Sequence, residues 1–145
     1  MNRELANAVI LLEQGIQQSN RPEDRKLASD YLAALAPLLA SAVLEEDILS
    51  RLDDIERLFG HSWIVDPKPF QNAFDSWRKF REEYEAFALG GMTVNERLYA
   101  LRTLDDYTKA VKERNFDRME QLLRRARVDQ PSILRIITNA KESNG

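Results

Sequence analysis

The side chains best suited to chemistry are a lone histidine, an acidic cluster and a set of arginines. His61 is the only histidine and stands two residues before Trp63. An imidazole there could serve as a general base or a pH-sensitive contact. Either role needs an orienting carboxylate and a reacting group nearby in space. His61 therefore reads first as a linker residue that hydrogen-bonds locally, and second as a weak functional candidate. Glu45, Glu46, Asp47, Asp53, Asp54 and Glu56 form a strongly acidic stretch. Carboxylate metal sites in helical bundles use Glu-x-x-His pairs from facing helices, and calcium loops need a glycine at their sharp turn. Neither pattern is present. No metal site is expected, and the cluster reads as a solvated face able to steer a basic protein partner.

Lys112, Arg114, Arg118, Arg124, Arg125, Arg127 and Arg135 give the back of the chain a basic side. Guanidinium forks match phosphate oxygens. Glu113, Asp117, Glu120 and Asp129 interrupt the basic residues, and no aromatic-basic RNA motif accompanies them, so nucleic acid is not the expected partner. Glu96 and Arg97 read as structural: the acid caps its own helix and the arginine pairs with a nearby acid. There is no phosphate-binding glycine loop and no serine-centred elbow. Cysteine is absent, which excludes disulfides and thiolate chemistry and fits a cytoplasmic protein. No catalytic residue and no cofactor are expected.

These groups must be carried by helices. Phe70, Phe74, Trp77, Phe80, Tyr84 and Phe87 recur at steps of three and four, which puts large rings on one side of a long helix over 66–89. Asp75, Arg78, Lys79, Glu82, Glu83 and Glu85 fall mostly on its other side. Asp66 before Pro67 reads as the start signal, and Gly90-Gly91 as the stop. Thr93 and Glu96 then have capping-box spacing. Ahead of this stretch, helices are expected over 4–18, from Pro22 to about Leu35 with a kink or break at Pro37, and over 45–59. Behind it, helices are expected over 94–114, 116–127 and from Asp129-Pro131 onward, with Asn115 as a junction. The sum is an all-α bundle of about seven mostly antiparallel helices. No uncharged apolar run approaches the ~20 residues of a membrane span. Residues 1–91 carry 10 basic and 16 acidic side chains, a net of −6, and residues 92–145 carry 11 and 8, a net of +3. The expected division is an acidic helical bundle over 1–91 and a three-helix module over 92–145, packed as one globular unit.

Met92-Thr93-Val94-Asn95-Glu96-Arg97-Leu98, followed by Leu104-Asp105, Ala110-Val111, Met119 and Leu122-Leu123-Arg124, resembles a group of short, uncharacterised bacterial helical proteins that begin at a similar string. Asp66-Pro67, Pro69-Phe70 and the aromatic helix resemble the longer members of that group. The resemblance covers roughly the second half of the chain. It implies a bacterial source and a modular back half, carries no known chemistry and transfers no catalytic residue.

The functional expectation is a non-enzymatic, cytoplasmic protein-interaction module that self-associates. Trp63, Trp77 and Tyr84 are the expected contact anchors, with Glu46, Asp53 and Asp54 as steering charges. Two alternatives stand beside it. One is a small ligand-binding protein or enzyme with a pocket near His61 and the aromatic helix. The other is an immunity-type neutraliser of a basic partner.

Overall fold

The computed structural model describes residues 2–60, 64 and 66–143. Eight α-helices appear among them: α1 (Asn2–Gln18), α2 (Pro22–Val43), α3 (Leu52–Gly60), α4 (Lys68–Leu89), α5 (Val94–Ala100), α6 (Leu104–Lys112), α7 (Phe116–Arg125) and α8 (Gln130–Glu142). A 3-10 turn, Leu49–Arg51, leads into α3, and the described residues hold no strand. The chain divides into two compact units, Met1–Glu85 and Ala86–Gly145. The division falls inside α4, six residues before the expected boundary.

In the first unit α1 and α2 form an antiparallel hairpin, closed where Asn2 donates to the Ala42 carbonyl at 3.3 Å. α4 runs antiparallel to α1: Phe70 lies on Gly15, Asn7 donates to Ser76 Oγ at 3.0 Å, and Lys79 pairs with Glu4 at 3.4 Å. α3 also runs antiparallel to α4, from Phe59 beside Phe74 and Trp77 to Asp53 on Arg81. The aromatic helix is thus the element on which the other three converge. Its rings join a chain of contacts: Tyr31 meets Phe59 and Phe74 at 4.9 and 5.8 Å, and Trp77 meets Phe80 at 6.0 Å. The edge-on pairs that Tyr31 makes add about 0.5–1.5 kcal/mol each beyond area burial. Two members depart from the expected stripe. Phe87, in the second unit, is 72% exposed, while Glu85, expected on the polar side, is buried.

Local signals explain where the element bounds differ from expectation. α2 passes straight through Pro37. The carbonyl that proline leaves without a donor belongs to Ala33, and both residues lie on the exposed side, where water can take the donor's place. The helix expected over 45–59 starts later. Glu45 takes a left-handed conformation, φ 59°, and the Glu46 N–H closes onto the Ser41 carbonyl. The Asp47 carboxylate then accepts from the Leu49 N–H at 3.0 Å and sets up the 3-10 turn. α4 opens at Lys68 and not at Asp66, with the Phe70 N–H on the Pro67 carbonyl.

In the second unit the helix expected over 94–114 is two helices. They part at Arg102, whose φ is 60°. The same device ends three successive helices. Arg102, Arg114 and Arg127 are all left-handed, and the following N–H of Thr103, Asn115 and Val128 reaches back to the carbonyls of Leu98, Ala110 and Leu123. This is the Schellman closure with arginine in glycine's usual place. The three residues whose carbonyls close the turns are all buried. The caps read from sequence are present: Thr93 and Glu96 complete a capping box at 3.1 and 3.2 Å, Asn115 accepts from Arg118, and Asp129 accepts from Ser132.

Candidate functional site

Asp53 and Glu56 on α3 and Arg81 and Glu85 on α4 form a cluster of charges against the rim of the aromatic core. The antiparallel crossing of the two helices brings them together. Arg81 donates to Asp53, to Glu56 at 3.2 Å and to Glu85 at 3.2 Å. Glu56 also accepts from the Trp77 indole N–H at 2.5 Å. The guanidinium side chain is 16% exposed and that of Glu85 only 4%. Burial works against the arginine's charge, but Glu85 and Asp53 outweigh it and hold its pKa above the ordinary value. Arg81 therefore remains charged at every accessible pH. One cation bridging two helices and three carboxylates is a clasp.

The contact anchors expected from sequence are placed differently. Trp77 is 1% exposed, a core residue closed to a partner. Asp53 is held by Arg81 and so is an internal tie. Tyr84 is half-buried, and its oxygen accepts the Ile48 N–H at 3.4 Å. Burial chiefly, opposed by that N–H and aided by the charge of Asp47, raises the Tyr84 pKa. Glu46 and Asp54 are exposed, Asp54 within 3.5 Å of Arg57. Trp63 and His61 lie outside the described residues.

An open hollow of about 560 Å³ lies at the α1–α2 turn, lined by Ser19, Arg21, Asp24, Leu27, Ile64 and Asp66 among others. None of the α4 rings is among the residues lining this hollow. Among the described residues no group of three acids or histidines is placed to hold a metal ion.

Two arginines of the second unit close helix ends. Arg97, expected to pair with an acid, instead donates to the carbonyls of Met92, Ala126 and Arg127, the last at 2.9 Å. It thereby caps the end of α7. Arg114 does the same for α8, donating to Ala140, Lys141 and Ser143. Its guanidinium also lies 5.1 Å over the Phe116 ring, a favourable cation–ring contact. Sequence reading missed both roles because the acceptors are backbone carbonyls about 26 to 30 positions away, which leave no mark in residue type.

The surface that sequence reading overlooked is the outer side of α2. Ala33, Ala36, Pro37, Ala40, Val43 and Leu44 are exposed, and only 28% of the helix's most apolar window is buried. By length and composition α2 is long and apolar enough to cross a membrane, a test that the core helix of a soluble protein also passes; its uncharged run, residues 31–44, stays short of ~20 residues as expected. The proline, expected to kink or break the helix, lies inside it.

No protein-family model matches the chain, and no curated protein or solved structure is similar to it.

Proposed function

We propose that this chain is a non-enzymatic helical contact module of the bacterial cytoplasm that associates with copies of itself. The observation that carries this reading is the apolar surface that α2 leaves in solvent. Val43 and Leu44, at the end of α2, are 61% and 70% exposed. They continue a helix face with no charge on it, where a surface helix ordinarily presents polar residues. In support, Arg81, Arg97 and Arg114 are each taken up in joining or ending helices. The resemblance of the back half to bacterial helical proteins and the absence of cysteine support the setting.

Sedimentation velocity over a hundredfold concentration range tests the reading. Reversible growth in mass with concentration is the expected result. A strict monomer that also retains no protein from extracts of its own host would overturn it.

A second reading, a basic protein as partner, is favoured by the exposed run Glu45, Glu46 and Asp47. It predicts association with that partner that weakens steeply with salt.

A further inference from the structure

We draw no further inference here: the strongest candidate, the exposed apolar face of α2 formed by Ala33, Ala36, Pro37, Ala40 and Val43, carries none, because acids and bases mix at the start of that helix and nothing in the structure shows what covers the face.

Discussion

Gly15 of α1 lies flat against the ring of Phe70 on α4, so close that a Cβ on residue 15 would overlap the ring. Phe70 is itself 0% exposed and cannot move aside into solvent. Gly15→Ala is therefore expected to destabilise the first unit by about 1–3 kcal/mol, despite alanine's better helix propensity. Urea denaturation followed by the fluorescence of Trp63 and Trp77 reads this. An unchanged midpoint would show that the two helices are not held at this separation.

Arg81 is the clasp between α3 and α4. Arg81→Ala removes the cation that Glu85, whose side chain is 4% exposed, shares with Asp53 and Glu56. Breaking a buried pair from one side costs about 3–5 kcal/mol. The double variant Arg81→Met with Glu85→Met removes both charges and is expected to recover most of that loss. A single variant as stable as wild type would mean that the cluster is solvated and carries little energy.

The three left-handed arginines separate backbone strain from side-chain function. Arg102 is exposed and its φ is 60°. Arg102→Gly relieves a strain of about 1–2 kcal/mol, partly offset by glycine's greater freedom when unfolded, so it is expected to be neutral or mildly stabilising. Arg114→Gly relieves the same strain but loses the donors on Ala140, Lys141 and Ser143. It is expected to lower stability and to speed amide exchange in the last turn of α8. Equal effects of the two substitutions would show that the Arg114 fork contributes nothing.

Acid should loosen the helix starts of the second unit. The Thr93 hydroxyl and N–H hold the Glu96 pKa below its ordinary value of 4.5. The Ser132 side chain and N–H hold Asp129 below 3.8. A carboxyl with its pKa depressed in the folded state contributes stability above its unfolded pKa and loses it as pH falls through the folded one. The melting temperature is thus expected to fall below about pH 4.5, and more shallowly in Glu96→Gln and Asp129→Asn. An identical acid slope in both variants would place the titration elsewhere.

Short-range grammar was legible without coordinates. The steps of three and four between Phe70 and Tyr84 specify a helix with one apolar side, because side-chain period follows backbone geometry. Thr93 with Glu96, Asn115 and Asp129 mark helix starts, because each acceptor reaches a backbone N–H only two or three residues away. The break at Arg102 was missed because a non-glycine residue in the left-handed region has no reliable signature. Its one local hint was Thr103 three residues before Asp106, a helix-start spacing inside what read as a continuous helix.

Which side of each helix is covered was settled only in three dimensions. Trp77, offered as an interface anchor although its stripe reads chiefly as core, is shut in where Phe59 and Glu56 of α3 lie against it. Glu85 reads as a surface acid until the crossing of α3 over α4 is seen to bury it, and α2 reads as kinked or broken until its proline is found inside a continuous helix on the solvent side. Residue type and spacing, then, determined that the chain is helical and where most helices begin. Tertiary packing decided which apolar faces were consumed by the core and which remained open, because burial depends on the elements that arrive from distant parts of the chain and not on a residue's neighbours in sequence.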